Sequence, residues 1–533
     1  MFRPSCREGC EFVMLNVSKI EKASKLNRDE LFRFGTALLF IVGIMLFTVV
    51  RTENSTHGIL LVAAAMIGGY MAMNIGANDV ANNVGPAVGS RAITLVGAIA
   101  IAASFEAGGA IIAGGDVVGT IKKGIIDPAQ IGDRDIFIWL MIAALLAAAL
   151  WLNAATALGA PVSTTHAIVG GVLGAGIAAG GPHIADWTQV GQIAASWVIS
   201  PVLGGVIAAG FLYLIKRTVT YQADVMAAAK RMVPILVAAM AWAFATYLML
   251  KGIKHLWKVS FGTAAFIGFV VAAAVYLLVK PRIARQSTRL PQQKESVNEL
   301  FTLPLICAAA LLSFAHGAND VANAIGPLAG INEAIVGGAV SAKAAIPIWV
   351  LMVGALGISL GLALYGPKLI RTVGSEITEL DRMRAFCIAM AAAITVIVAS
   401  QMGLPVSSTH IAVGGVFGVG FLREHLKVRY AQMIEEIRTH HENDSPEAVD
   451  AFLARFEAAN VTGKGEMLRE LKSRTEDRLL RKVERKNLGK LHRLELVKRS
   501  LLLLIVAAWV ITVPLAGVMG AMFFFMLRGM LLP

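Results

Sequence analysis

Long apolar runs along the chain are separated by short polar patches. A helix needs about 20 mostly apolar residues to cross a bilayer core. Runs of that kind fall at roughly 34–50, 58–76, 92–115, 136–158, 187–216, 233–250, 259–279, 302–317, 345–366, 384–402 and 499–527. Two further stretches, 165–181 and 410–423, are apolar, short and Gly-rich, and read as re-entrant half-helices or thin spans. The pattern predicts an all-α polytopic membrane protein with about 11–13 membrane segments.

The polar patches come in pairs. Residues 76–90 read GANDVANNVGPAVGS and residues 317–331 read GANDVANAIGPLAGI, ten of fifteen identical at an offset of 241. Residues 159–174, GAPVSTTHAIVGGVLG, match residues 403–418, GLPVSSTHIAVGGVFG, at eleven of sixteen positions and an offset of 244. Weaker echoes relate Trp197 to Gly204 with Trp509 to Gly517, and Gly114, Val118 and Thr120 with Gly366, Ile370 and Thr372. The order is the same in both halves, so the chain carries two homologous repeats. Polar motifs with Gly and Pro at matching places in two apolar halves point to broken helices around a binding site.

The expected organisation is a polar N-terminal segment (1–33), a first membrane repeat (34–217), and a two-span insert with basic cytoplasmic loops (218–300). A second repeat (301–423) follows, then a charged helical cytoplasmic segment (424–498) and a last span that completes the second repeat (499–533).

Composition agrees with this picture. The chain is 56% hydrophobic and 16% charged, against about 25% charged in soluble domains. Its net charge of +13 fits basic cytoplasmic loops, and no basic stretch is interleaved with stacking aromatics, so no nucleic acid partner is expected. Four cysteines are too few for a disulfide framework, and no metal-ligand set is legible.

In the first motif Asn78, Asp79, Asn82 and Asn83 share helical spacing, and Asn319, Asp320 and Asn323 repeat the set. Pro86 and Pro327 are expected to break their helices and free carbonyls. Carboxylates, amide oxygens and freed carbonyls are hard ligands that suit Na⁺ or a divalent ion. Glu106, alone in an apolar run, is costly unless paired or on a cation. Its counterpart in the other half is Ile358.

The second motif supplies hydroxyls: Ser163, Thr164 and Thr165, and Ser407, Ser408 and Thr409. Each run follows Gly-x-Pro-Val, with Pro161 or Pro405, and opens a Gly-rich helix. A helix N-terminus with free N–H groups binds a tetrahedral oxyanion readily. His166 and His410 end the two runs and could donate to the anion, relay a proton or brace a carbonyl. Asp116, Lys122 and Lys123 read as a solvated loop near a membrane boundary. Carboxylates beside an anion make sense if cations sit between them or if they accept the anion's protons, and either arrangement couples the two ligands.

GANDVANNVGPAVG, HGANDVANAIGPL, PVSTTH, PVSSTH and FEAGGAIIAGGDVVGTIKKGIID (105–127) together resemble the inorganic phosphate transporter (PiT) family. The likeness runs from about 59 to 201, from about 303 to 422, and again near Trp509. It implies a secondary transporter with inverted repeats and a phosphate site at their interface. Cation binding would fall to Asp79, Asp320, Asn78, Asn82, Asn319, Asn323 and Glu106. Phosphate binding would fall to Ser163, Thr164, Thr165, Ser407, Ser408, Thr409 and Asn83. Eukaryotic members often carry an acid before the second hydroxyl run, where this chain reads AMAAAITVIVAS (389–400).

The expected activity is cation-coupled symport of inorganic phosphate, with Na⁺ or H⁺ as coupling cation or phosphate entering as a metal complex. A sulfate permease of the same fold is the alternative. No catalytic residue, enzymatic activity, metal or other cofactor is expected; a Ser-His hydrolase is disfavoured by the doubling of the motif. Expected partners are phosphate, Na⁺ or H⁺, the lipid bilayer and, as a homodimer, a second copy of the chain. The expected location is a bacterial inner (plasma) membrane.

Overall fold

The computed structural model describes residues 6–52, 57–157, 162–251, 259–291, 293–337, 346–376, 381–440 and 499–531, with six positions between 451 and 467. Pro161 and most of the charged segment 424–498 lie outside the described residues. The helices in chain order are α1 (Cys6–Arg51), α2 (Gly58–Asn78), α3 (Val80–Gly89), α4 (Leu95–Ala113), α5 (Gly115–Gly119), α6 (Arg134–Ala157), α7 (Thr164–Gly180) and α8 (Trp187–Ile215). They continue with α9 (Val225–Lys251), α10 (Phe261–Arg289), α11 (Lys294–Leu300), α12 (Thr302–Gly337), α13 (Ile348–Glu376), α14 (Arg382–Gln401), α15 (Ser408–His440) and α16 (Arg499–Leu531). A five-residue π-helical turn, Thr120–Gly124, follows α5.

Among the described residues eleven helical stretches are long and apolar enough to cross a membrane, one for each long run in the sequence, and α7 is a shorter apolar helix. The polar N-terminal stretch and the first span form one helix, α1. Likewise α15 runs without interruption from the second hydroxyl motif to His440.

The two halves interleave. Helix α2 packs on α13, α4 on α12, α7 on α16 and α8 on α15. Equivalent glycines make these approaches close, as small residues do between membrane helices. A Cβ on Gly76 would overlap the carbonyl of Ile358, and one on Gly317 would overlap the carbonyl of Glu106. The faint sequence pairing of Glu106 with Ile358 is therefore a spatial equivalence.

Contacts at the helix ends show direction. Arg382 bonds the Ser90 and Arg91 carbonyls, just past the end of α3, and the Thr302 hydroxyl at the start of α12. At the opposite end, Gly330 near the end of α12 abuts Phe137 at the start of α6, whose neighbour Asp135 pairs with His57 at the start of α2. The two copies of the first motif thus run antiparallel. Among the described spans α12 is the most enclosed, with 89% of the residues in its apolar window buried against 17% for the first, so the second copy lies at the centre of the protein.

Pro86 and Pro327 do not break their helices; they sit inside α3 and α12. A proline removes one helical hydrogen bond, and close neighbours can hold the helix on its course. Between α2 and α3 the chain turns at Asp79, whose backbone stays helical (φ −86, ψ −36). The clear interruption lies ahead of the second hydroxyl motif, where residues 402–407 between α14 and α15 are non-helical.

Candidate functional site

Each hydroxyl motif opens a helix. Ser163 caps α7 by accepting from the His166 N–H at 3.3 Å, and Ser407 caps α15 through the His410 N–H at the same distance. These two hydroxyls are occupied as caps. The remaining four, on Thr164, Thr165, Ser408 and Thr409, are buried in the first turns of the two helices. The helix starts adjoin, because Thr165 donates to the Val406 carbonyl at 3.1 Å.

The motif carboxylates face these hydroxyls with matched geometry. Thr164 donates to Asp79 at 2.7 Å and its equivalent Ser408 donates to Asp320 at 3.1 Å. The asparagines cross between halves: Asn82 donates to Thr409 at 2.9 Å, and Asn323 donates to Thr165 at 3.1 Å and to Thr164 at 3.2 Å. Thr409 also donates to Asp79 at 3.1 Å. Asp320 therefore meets its own half's helix start, Asp79 meets both, and Asn82 and Asn323 each meet the other half's.

The site is not symmetric. His316 Nδ1 lies 2.7 Å from Glu106, and His316 Nε2 lies 2.8 Å from Asp320. All three side chains are buried, and Asn83 donates to the other Glu106 oxygen at 2.8 Å. The position equivalent to His316 in the first half holds Ile75, and the position equivalent to Glu106 in the second half, by the spatial pairing above, holds Ile358. Asp79, His316 and Asp320 bring ligand atoms within 4.8 Å of one another, a cluster able to hold a cation.

Sequence reasoning named most of these residues, but not all in the setting observed. Asn319 holds the non-helical stretch before α15, donating to Ser400 and the Leu404 carbonyl and accepting from Val406 N–H. Asn78 is half-buried and makes no side-chain hydrogen bond among the described residues. Asn83 bonds the acid Glu106 and makes no hydrogen bond with the hydroxyl cluster among the described residues. His166 and His410 turn away from the carboxylates and toward each other. Lys122 is buried, not solvated, and pairs with Glu333 at 2.5 Å, while Asp116 pairs with Lys251.

His316 was missed as a site residue. Its signal was the polar residue immediately ahead of one copy of the doubled motif: His before Gly317, Ile before Gly76.

Antiparallel polar motifs that bring two carboxylates and two helix N-termini to one buried point inside a helical membrane bundle fit a membrane transporter. Comparison with known proteins gives the family. A family model described as "Phosphate transporter family" matches residues 75–520. A Helicobacter pylori protein named "Putative phosphate permease" is 52% identical over 519 residues, covering 96% of this chain and 97% of its own. A Pyrococcus horikoshii protein of similar name is 38% identical over 367 residues, covering 68% of this chain and 89% of its own. A solved structure, "The sodium-dependent phosphate transporter", superposes with a TM-score of 0.72 at 30% identity, covering 89% of this chain and 100% of that one. The chain belongs to the phosphate transporter family and is an integral membrane protein.

Proposed function

We propose that the protein is a secondary active symporter that carries inorganic phosphate together with a cation, and that Na⁺ is that cation. The observation that carries this reading is the double role of the hydroxyls: those at the two helix starts donate to Asp79 and Asp320. A cation on the carboxylates would take over the oxygen lone pairs those hydroxyls now satisfy. Thr164, Ser408 and Thr409 could then turn their O–H groups, with the free N–H groups of the helix starts, toward phosphate. Thr165, now bonded to the Val406 carbonyl, is the fourth hydroxyl in reach. Each ligand raises affinity for the other, the thermodynamic condition for symport. The similarity to a sodium-dependent transporter supports Na⁺ over H⁺.

Asp79 and Asp320 bind the cation in this reading, with Asn78, Asn82 and Asn323 nearby. Ser163 and Ser407 shape the phosphate site as caps, Asn319 as a brace, and Glu106 with Asn83 as supports of His316. One end of the protein gathers Lys216, Arg384, Arg423 and Lys427, and we place that end in the cytoplasm of a prokaryotic cell, with the chain in the inner membrane. A second copy of the chain is a partner in this reading, read out by the mass of the purified particle.

The test is uptake of labelled phosphate into proteoliposomes under separately imposed Na⁺ and H⁺ gradients, with unlabelled sulfate as competitor. Accumulation under the Na⁺ gradient, indifferent to sulfate, is expected. Accumulation under the H⁺ gradient alone overturns the choice of ion, and gradient-driven sulfate uptake without phosphate uptake overturns the substrate.

A further inference from the structure

Behind the site four aromatic rings form a row. His166 lies against Trp197 with ring centres 3.8 Å apart, the two histidines are 4.8 Å apart, and His410 stacks on Trp509 at 3.6 Å. The row follows the repeat, with His166 equivalent to His410 and Trp197 to Trp509. Each histidine is the third residue of the helix whose first turn carries the site hydroxyls. The row therefore backs directly onto Thr164, Thr165, Ser408 and Thr409.

On its outer side a cavity of about 1090 Å³ opens between α8, α15 and α16. Its volume is at the upper end of the roughly 300–1,000 Å³ of small-molecule sites. The wall is apolar apart from the two indoles and His166. Val198, Val202, Val206 and Val510 on its rim are 63–69% exposed, on helices that cross the membrane, so the opening faces lipid.

His166 is only 4% exposed, lines this cavity, and has its Nδ1 without a hydrogen-bond partner. A buried polar group of this kind ordinarily finds a partner. A neutral imidazole offers one donor and one acceptor nitrogen, and the Trp509 indole N–H on the same wall also lacks a partner, so a fitting occupant is apolar along its length and carries a head group with both a donor and an acceptor.

We propose that the cavity is a lateral binding site for a single-chain amphiphile whose head group donates a hydrogen bond, a protonated long-chain fatty acid. Its O–H meets the His166 imidazole and its chain lies along Val202, Phe417 and Phe421. Occupancy presses on the ring row behind the helix starts and so changes the rate of phosphate uptake. The site is separate from the carboxylate cluster, so its binding test does not depend on the proposed coupling ion.

Trp197 and Trp509 make the site directly readable. A fatty acid brominated in mid-chain would be added to the purified full-length protein in lipid nanodiscs and tryptophan quenching followed, beside the methyl ester of the same acid. Saturable quenching by the acid is expected, with the ester, which lacks the donor, roughly five- to tenfold weaker. His166→Phe, which keeps a ring in the row, should bring acid and ester level. Val202→Phe and Ala209→Phe should fill the cavity and weaken the saturable component without touching the carboxylate cluster. Equal quenching by acid and ester in the unmodified protein, or none that saturates, would overturn the proposal. So would saturable quenching that survives both filling variants, or that is unchanged in the Trp197→Phe, Trp509→Phe double variant.

Discussion

Thr409 and Asp79 are 330 residues apart in the chain and are joined by a 3.1 Å hydrogen bond from hydroxyl to carboxylate. The same carboxylate accepts from Thr164 of its own half. Asp79 therefore ties both helix starts to the first copy of the doubled motif, and a cation placed there would be felt by both hydroxyl elements at once.

Replacing Asp79 by Asn keeps size and removes the charge. Two hydrogen bonds to the carboxyl group are weakened, each worth about 0.5–3 kcal/mol, and the proposed cation ligand is lost. Gradient-driven phosphate uptake should fall at least tenfold, with the amount of purified protein unchanged. Uptake at the unmodified rate would show that Asp79 is not part of the coupling machinery.

Thr409→Val removes one donor to Asp79 and the acceptor for Asn82. The affinity for phosphate should weaken by roughly tenfold, and its dependence on Na⁺ should flatten, because the hydroxyl no longer exchanges between carboxylate and anion. Initial rates over a grid of Na⁺ and phosphate concentrations separate the two effects. A change in maximal rate alone would contradict the exchange.

The buried Glu106–His316 pair allows a sharper test, because the repeat-related positions hold Ile358 and Ile75. His316→Ile alone leaves a buried acid without its charged partner and should cost about 3–5 kcal/mol of stability. The double change Glu106→Ile, His316→Ile should recover much of that, since well-packed apolar residues can replace a buried ion pair at little cost. Thermal unfolding in detergent reads the stability and vesicle uptake reads function. Recovered stability without uptake is expected; recovered uptake would make the pair purely structural.

Gly317→Ala puts a Cβ into the Glu106 carbonyl. Overpacking of this kind typically costs about 1–3 kcal/mol, and here it also shifts the acid that holds His316. A lowered unfolding temperature together with reduced uptake is expected. At Gly115, where no heavy atom lies within 4 Å of the added Cβ, alanine should be silent in both assays.

Lys122, on the π-helical turn, reaches Glu333 near the end of α12. Thr120 on the same turn donates to the Gly403 carbonyl ahead of the second hydroxyl run. The turn thus joins both motifs of the second half. Lys122→Ala should slow uptake, and Lys122→Glu with Glu333→Lys should restore part of it. Failure of the swap with Lys122→Ala fully active would leave the pair without a role in transport.

Much was legible before any coordinates. Apolar runs of bilayer length marked the spans, because a chain in lipid must satisfy its backbone within helices. The doubled motifs marked the site, because buried Asn, Asp, Ser and Thr are kept in such runs only where they meet protein or solute. Both are local properties of composition and spacing, so Asp79, Asp320 and the hydroxyl elements could be named from the chain alone. Which of those groups touch was decided by tertiary structure. The bonds from Thr164 to Asp79 and from Ser408 to Asp320 span 85 and 88 residues, and no local pattern encodes that one hydroxyl of each run becomes a cap while its neighbours face a carboxylate. Pro327 looked like a helix breaker because its chemistry removes a donor, yet the packing around α12 carries the helix through it. His316 looked like an ordinary residue beside the motif until folding brought Glu106, 210 residues away, against its ring. Sequence sets what each side chain can offer; the antiparallel crossing of the two halves selects which offers meet.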